Sequence, residues 1–228
     1  MHTIPPIIHL NWPNQFRIVS SKYPPINFFE KLVPPDQMEA LFYLESLTND
    51  RLRAEIGNIA LIKPEDRISG EGASVVMAAF THIGRSSRFS NGTFGVYYAT
   101  KELKTAVFET VFHRQQFLSY TEEAPGEIDM RVYVGKILKP LQDIREQRYE
   151  NLHHPEDYSS SQLFAAKLRE DNAFGLVYNS VRASNGECIA IFRPPAISIP
   201  KQSLHLVYVW NGERITKVYE KANILYEF

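Results

Sequence analysis

The sequence holds a single cysteine, Cys188, among its 228 residues. One cysteine excludes a disulfide within the chain and any zinc site built on a pair of cysteines. This usage suits a reducing compartment, so we expect a cytoplasmic protein. An apolar run of 18 residues is also missing, so we expect no membrane-spanning helix. The first residues lack the basic and apolar regions of a signal peptide.

An excess of charge of one sign is missing too. The 25 Lys and Arg residues balance 26 Asp and Glu residues, and the net charge is −1. Proteins that bind the phosphate backbone of nucleic acids usually carry a clear basic excess, although a local basic patch is compatible with this balance. We therefore expect no direct contact with nucleic acid.

The chain does have enough apolar residues, 44%, for a sizeable core. Strand-like and helix-like segments mix without a regular βαβ rhythm, which favours an α+β fold with a mixed or antiparallel sheet and flanking helices. Residues 1–60 are predicted to be a proline-rich extended segment with helices that pack on the core. Residues 61–228 are predicted to form the main domain, so that the whole chain is one compact unit.

Several short patterns predict individual elements. "PPDQMEALFYLES" predicts a helix capped by Asp36. "FGVYYA" (94–99) and "RVYVGKIL" (131–138) are typical of strands. Asn211-Gly212 predicts a type I′ turn in a β-hairpin.

One predicted helix carries an acid in an apolar setting. It is expected to begin at Thr100 as N-cap and to run to about Phe117. Helical spacing aligns one stripe of this helix, which consists of Glu102, Ala106, Glu109 and His113. The stripe fits either a narrow solvated face or a carboxylate that faces a cleft beside a small residue.

The surrounding residues favour the cleft. Arg88 precedes the strand and offers a guanidinium fork that suits phosphate oxygens. Tyr97 and Tyr98 face opposite sides of the strand, and a tyrosine offers a flat face and a hydroxyl. Glu109 offers a carboxylate for a ribose hydroxyl. Phosphate, aromatic ring and ribose are the parts of a nucleotide, so a dinucleotide is a natural candidate ligand.

The chain resembles the RES family, the toxin half of a bacterial toxin–antitoxin pair, over nearly its whole length. The blocks that carry the resemblance stand in family order: "FTHIGRSSRFSNGTFGVYYATKELKTAVFETVFHR", "GEIDMRVYVGKI", "HPEDYSSSQLFAAKLRE" and "GLVYNSVRASNGECIAIFRP". The combination is specific, whereas each block alone is modest.

The resemblance implies which residues form the site. The family arginine, glutamate and serine correspond to Arg88, Glu109 and Ser180, and Asn179 stands where proline is common in the family. The family tyrosine matches Tyr98, with Tyr97 as competitor. Glu109, Arg88, Ser180 and Tyr98 are therefore the expected catalytic residues. Arg88, Tyr98, Tyr97 and Ser180 are the expected ligand-binding residues.

The resemblance also implies a fold like that of ADP-ribosyltransferases and a reaction. The expected substrate is NAD⁺, cleaved between nicotinamide and ribose by hydrolysis or phosphorolysis without a metal, so that cellular NAD⁺ is depleted and growth stops. The alternative is transfer of ADP-ribose to a cellular protein. The expected partner is an Xre-type helix-turn-helix antitoxin. A homo-oligomer or a hetero-oligomer with this antitoxin is the expected assembly.

Two alternative functions are suggested by other residues. "HHPED" holds His153, His154, Glu156 and Asp157, which suggests a metal hydrolase, although the spacing fits no known zinc motif. The aromatic hairpin "VYVWNGERI" suggests a binding module without catalysis, although hairpin aromatics usually serve packing.

Overall fold

The computed structural model describes residues 4–22, 34, 37–46 and 57–221. Nine strands are found there: β1 (Ile7–Ile8), β2 (Gln15–Ser20), β3 (Tyr97–Thr100), β4 (Gly126–Gly135), β5 (Leu141–Asp143), β6 (Gly175–Asn179), β7 (Glu187–Ile191), β8 (Lys201–Trp210) and β9 (Ile215–Glu220). The α-helices are α1 (Met38–Ser46), α2 (Ala73–Thr81), α3 (Leu103–Tyr120) and α4 (Ser159–Glu170). Short 3₁₀ helices cover Ile59–Leu61, Pro64–Asp66, Gln147–Leu152 and Pro194–Ala196.

All nine strands belong to one sheet, in the order β1-β5-β6-β7-β3-β2-β4-β8-β9. Neighbouring strands are antiparallel except for β5 and β6, which are parallel. The predicted α+β class with a mixed sheet and flanking helices is therefore confirmed. β2 comes from the N-terminal segment yet lies between β3 and β4, so this segment shares the sheet of the main domain.

Alternation of side chains along the central strands builds two faces. Phe16 lies opposite Thr100, and Ile18 lies opposite Val132, so these side chains share one face of the sheet. The apolar stripe of α3 packs there, through Leu103, Val107 and Val111. Burial of this stripe, rather than helix propensity, holds α3 in place.

The opposite face of the sheet is covered by α2. Its Val76, Met77 and Phe80 pack against Tyr97 and Ile191. α4 packs on the α3 side, because its Leu168 and Ala165 join the cluster that contains Tyr178 and Cys188. The two faces are therefore both buried at the centre of the sheet, which explains why β6 and β7 read as continuous apolar runs.

Some element boundaries differ from the predictions. The helix with the acid begins at Leu103, because Thr100 remains in β3 and donates its hydroxyl to the Glu102 carbonyl at 2.7 Å. The strand predicted over 94–99 begins only at Tyr97, and β4 begins earlier than predicted, at Gly126. α1 is present as predicted, but its expected cap Asp36 lies outside the described residues.

The predicted two-residue hairpin turn is wrong. β8 and β9 are joined by residues 211–214, and the Asn211 N–H donates to the Arg214 carbonyl at 3.1 Å. The Asn211 side chain also accepts from the Arg214 N–H at 2.8 Å. The register also shifts between Val209 and Trp210, where Thr216 is an extra residue on β9.

No helix in the described ranges combines the length and the apolar character that crossing a membrane requires.

Candidate active site

A cleft of about 410 Å³ opens between α3, the central strands β2 and β3, and the loop before β3. β2 and β3 pair at Phe16 and Thr100. Beside this pair, the Tyr98 carbonyl accepts from the Arg17 guanidinium at 2.9 Å rather than from a backbone N–H of β2. The two strands therefore part at this point, which leaves room for the cleft in the middle of the sheet.

Glu109 lines the cleft, and Ser180 holds its carboxylate. The Ser180 hydroxyl donates to Glu109 Oε1 at 2.6 Å. The same hydroxyl accepts from the backbone N–H groups of Arg182 at 3.1 Å and Ala183 at 2.9 Å. Because both acceptor positions are taken, the single hydroxyl proton points at the carboxylate. Ser180 thus fixes Glu109 without lining the cleft itself.

A second donor approaches the same carboxylate oxygen. Cys188 Sγ lies 3.8 Å from Glu109 Oε1. Burial, assisted by the Glu109 charge, raises the pKa of the Cys188 thiol well above its usual range, so the thiol keeps its proton. Among the described residues, no donor reaches the other oxygen, Oε2. The arrangement therefore leaves one carboxylate oxygen available to a ligand in the cleft.

Arg88 lies in the same cleft and is only 9% exposed. Its Nη1 donates to the His154 carbonyl at 2.7 Å, and its guanidinium carbon lies 4.7 Å from the centre of the Tyr158 ring. Within the described ranges, no carboxylate lies within ion-pair distance of it. A buried cation without a counter-charge is costly, and an anion in the cleft would offset this cost.

Tyr98 lines the cleft and ties β3 to the loop that carries Arg88. Its hydroxyl accepts from the Phe89 N–H at 3.0 Å and lies 2.9 Å from the Ser87 hydroxyl. Burial raises the pKa of Tyr98 to about 12, so the phenol stays neutral.

Tyr97 is not brought to the cleft. Its side chain is fully buried on the opposite face of the sheet, where Gln15 Nε2 donates to its hydroxyl at 3.0 Å. The Arg17 guanidinium lies 4.3 Å from the centre of its ring. The period of two along β3 separates the two tyrosines, so Tyr98 alone is in a position to contact a ligand.

The sequence did not single out two other aromatic residues of the cleft. Tyr158 stacks on Arg88, and it reaches the cleft from the turn before α4. Tyr178 precedes Ser180 by two residues on β6, so strand alternation could have suggested it. The sequence around Tyr158 does not indicate a place in the cleft, because its contact with Arg88 depends on the fold.

His113 follows Glu109 by one turn of α3 and lines the cleft. The surrounding protein withholds water from its ring and lowers the pKa of His113. The Glu109 carboxylate opposes this shift, while Arg182 and Arg88 reinforce it. A neutral imidazole beside the carboxylate can accept a proton.

The "HHPED" residues are engaged with the protein itself. His154 Nδ1 accepts from the Asp157 N–H at 2.8 Å, and the Asp157 carboxylate accepts from the Ser159 N–H at 2.9 Å. His153 Nε2 accepts from the Asn179 N–H at 3.2 Å. The part of the chain that the structure describes contains no group of three or more His, Cys, Asp or Glu side chains placed to hold a metal ion.

Comparisons with known proteins complete the description of the site. A family model described as "RES domain" matches residues 64–211, which include Arg88, Glu109 and Ser180. "Uncharacterized protein y4oC" from Sinorhizobium fredii (strain NBRC 101917 / NGR234) is 30% identical over 206 residues, which is 90% of this chain and 86% of that protein.

One solved structure shows a weak similarity to the chain. It is the "Crystal structure of the M.tuberculosis MbcT-MbcA toxin-antitoxin complex", with 11% identity and a TM-score of 0.39. The alignment covers 55% of this chain and 72% of that chain.

Proposed function

The chain belongs to the RES-domain family, and on this premise we propose that its cleft binds NAD⁺ and cleaves the bond between nicotinamide and ribose. One observation carries the proposal. A carboxylate held by Ser180 keeps one oxygen available in a cleft that also contains Arg88, a buried cation without an acidic partner among the described residues. An acid and an unneutralised arginine in one cleft suit a ligand that brings both a phosphate and a developing positive charge.

The proposed reaction requires few catalytic groups. When the C1′–N bond breaks, its electron pair passes to the nicotinamide ring, and the pyridinium leaves as a neutral molecule. The leaving group therefore needs no proton, and the general acid of ordinary glycosidases is dispensable. The ribose carbon becomes an oxocarbenium-like cation, and the Glu109 carboxylate stabilises it through charge and through the 2′-hydroxyl.

Each remaining residue has a binding or positioning role in this proposal. Arg88 binds a phosphate oxygen of the substrate, because the described residues supply no counter-charge for it. Tyr98 offers its ring to the nicotinamide and holds the loop of Arg88 in place. Ser180 supports Glu109 rather than the nicotinamide amide, since its one proton is already committed to Oε1.

The acceptor that captures the ribose cation is water or phosphate in this proposal, and a proton is released as the new C1′–O bond forms. Transfer to a protein side chain is the alternative, and the products distinguish the three. Water yields ADP-ribose, phosphate yields a phosphorylated ADP-ribose, and a protein acceptor gains the ADP-ribose mass.

The test follows nicotinamide release from NAD⁺ by chromatography, with intact-protein mass spectrometry on candidate targets. Glu109→Gln keeps the shape of the side chain and removes its charge, and we expect a loss of about 10²–10³ in kcat. Glu102→Gln is the matched control, because Glu102 is an exposed carboxylate at the residue that precedes α3. Equal activity of Glu109→Gln and wild type would refute the proposal.

We also propose that the protein acts as a toxin restrained by a helix-turn-helix antitoxin, as the resemblance of the sequence to the RES family implies. Depletion of NAD⁺ explains growth arrest without a contact to nucleic acid. Expression of the chain alone should lower cellular NAD⁺, and co-expression with the antitoxin should restore it. An antitoxin that binds the purified chain but leaves NAD⁺ cleavage unchanged would contradict this proposal.

A further inference from the structure

The side chain of His153 has both ring nitrogens engaged by backbone groups. Nδ1 lies 3.0 Å from the Tyr149 carbonyl, which only accepts, so Nδ1 carries a proton. Nε2 lies 3.2 Å from the Asn179 N–H, which only donates, so Nε2 carries none. The two contacts together select one tautomer of the neutral imidazole.

Protonation of His153 is incompatible with this arrangement. A proton on Nε2 would face the Asn179 N–H, and two donors cannot share a hydrogen bond. The Asn179 backbone would have to move away or lose its partner.

Asn179 is tied directly to the site. It is the last residue of β6, and the next residue is Ser180, whose hydroxyl holds Glu109 at 2.6 Å. The Asn179 side chain donates to the Arg145 carbonyl at 2.8 Å, and the Ser180 N–H donates to the Gly186 carbonyl at 2.8 Å. The position of Ser180 therefore depends on a short run of backbone that His153 helps to hold.

The loop that follows His153 reaches two further residues of the site. The His154 carbonyl accepts from Arg88, and the Pro155 carbonyl accepts from the Arg182 guanidinium. The backbone N–H of Arg182 in turn donates to Ser180. One loop thus supports both the arginine and the serine, which lie 92 positions apart in the chain.

The charges around His153 also disfavour the imidazolium. Burial lowers the pKa of His153, and the Arg88 charge lowers it further. The Tyr149 carbonyl and the Glu150 carboxylate oppose this shift. The Tyr178 ring is a further neighbour, with its centre 6.3 Å from that of the imidazole, and it stays a neutral phenol because burial raises the pKa of Tyr178.

We infer that His153 is a positioning residue for the proposed reaction, and that its neutral form holds the Asn179–Ser180 backbone so that Ser180 aligns Glu109. Acid then weakens the site in part by protonating His153, a residue that does not line the cleft. The inference rests on the proposed function for its kinetic consequence, whereas its structural part can be tested without activity.

The structural test is an NMR titration of the wild-type protein. The His153 ring signals and the Asn179 and Ser180 amide signals are followed from pH 7.5 to pH 5. We expect the two amides to shift with the midpoint of His153, which should lie below 6.5, the ordinary value for histidine. Unchanged chemical shifts of the two amides while His153 titrates would overturn the inference.

The kinetic test uses His153→Gln, which keeps an acceptor near the position of Nε2 but cannot take up a proton. In this variant we expect a smaller decrease of kcat at acidic pH, because the contribution from protonation of His153 is absent. His153→Ala should lower kcat by about 10- to 100-fold with a smaller change in KM, because a misplaced group costs this much. His205→Gln, an exposed residue on β8, should keep the wild-type profile.

The outcomes separate the two proposals. Coupled amide shifts in a protein that never releases nicotinamide would refute the proposed function and leave the positioning role standing. Nicotinamide release with the same acid limb in wild type and His153→Gln would refute the positioning role alone.

Discussion

At the scale of single residues, the site depends on the hydrogen bond that the Ser180 hydroxyl donates to Glu109. Its hydroxyl accepts two backbone N–H groups and so has one direction left for donation, toward Glu109. A hydrogen bond to a charged group contributes about 1.5–3 kcal/mol. Loss of this bond would let the carboxylate rotate away from the ribose of the proposed substrate.

Ser180→Ala should therefore lower kcat by roughly 10- to 100-fold, which corresponds to the same 1.5–3 kcal/mol. KM for NAD⁺ should change little, because Ser180 does not line the cleft. Steady-state kinetics of nicotinamide release measure both constants. A large rise in KM with unchanged kcat would show instead that Ser180 binds the substrate.

The two adjacent tyrosines should respond differently to loss of the hydroxyl. Tyr98→Phe leaves the buried Phe89 N–H without its acceptor, which costs about 1–3 kcal/mol of folding stability, and loosens the loop of Arg88, so KM should rise. Tyr97→Phe loses a bond to Gln15 on the other face and should leave KM unchanged. Urea unfolding and NAD⁺ kinetics on both variants check this contrast, and equal KM values for the two would contradict it.

Residue chemistry made part of this site predictable. An arginine, a glutamate and a tyrosine within one strand–helix segment indicated a nucleotide, and the structure brings Arg88, Glu109 and Tyr98 to one cleft. The contact that fixes Arg88 could not be predicted. Arg88 meets the His154 carbonyl 66 positions away. Such a pair leaves no local pattern, because only the fold brings its members together.

At the scale of elements, the approach of α2 to the chain before β3 sets where the Arg88 loop sits. A side chain at Gly95 would have its Cβ 2.2 Å from the Ala79 carbonyl oxygen and 2.4 Å from Phe80 Cα. The backbone is therefore in contact with the last turn of α2. β3 and the loop before it can take their positions only because Gly95 lacks a Cβ.

Gly95→Ala should destabilise the protein by roughly 1–3 kcal/mol, because backbone atoms of α2 cannot rotate out of the way. The shift should also displace the Arg88 loop and raise KM for NAD⁺. Gly126→Ala is the control, since the nearest atom to its added Cβ is 3.9 Å away. Thermal unfolding of the two variants gives the comparison, and similar melting temperatures would contradict it.

Element types were more predictable than their ends. Apolar spacing located α1 and α3, and runs of β-branched and aromatic residues located β3 and β4. Thr100 looked like a helix cap, yet pairing with Phe16 and Cys188 keeps it in β3. The turn at Asn211 was misjudged because the extra residue Thr216, a bulge in the following strand β9, lies outside any two-residue signal.

At the scale of the whole molecule, β2 joins the two halves of the sheet. It pairs with β3 on one side and with β4 along its full length on the other. Phe16 and Ile18 pack against α3, and burial of such a side chain contributes about 1.5–3 kcal/mol. The matched family region begins at residue 64, so it lacks this strand.

Deletion of residues 1–22 should therefore abolish cooperative unfolding. Deletion of residues 1–10 removes β1, a two-residue edge strand paired with β5, and the partly buried Leu10, and should cost less. Circular dichroism during thermal unfolding distinguishes the two. A sharp transition after the longer deletion would show that the remaining sheet folds without its centre.

Folding stability should fall as the pH drops below 6.5. Burial lowers the pKa of both His113 and His153, so the unfolded chain takes up protons before the folded one. The stabilisation is complete above 6.5 and is lost as the pH falls toward the folded values. Urea unfolding at pH 7.5 and 5.5 measures the loss, and the double variant His113→Gln, His153→Gln should reduce it. An equal loss in the double variant would assign it to other groups.

The central position of β2 has a consequence for synthesis on the ribosome. Ser20 leaves the ribosome early, but its partner Met130 follows about 110 residues later, after roughly 5 to 20 seconds at usual translation rates. During that interval the nascent strand lacks the partner that pairs along its full length, since β3 meets it only at Phe16 and Thr100, and Ser180 has yet to be made. The proposed reaction therefore cannot begin until most of the chain has been translated, which would give the proposed antitoxin time to reach it.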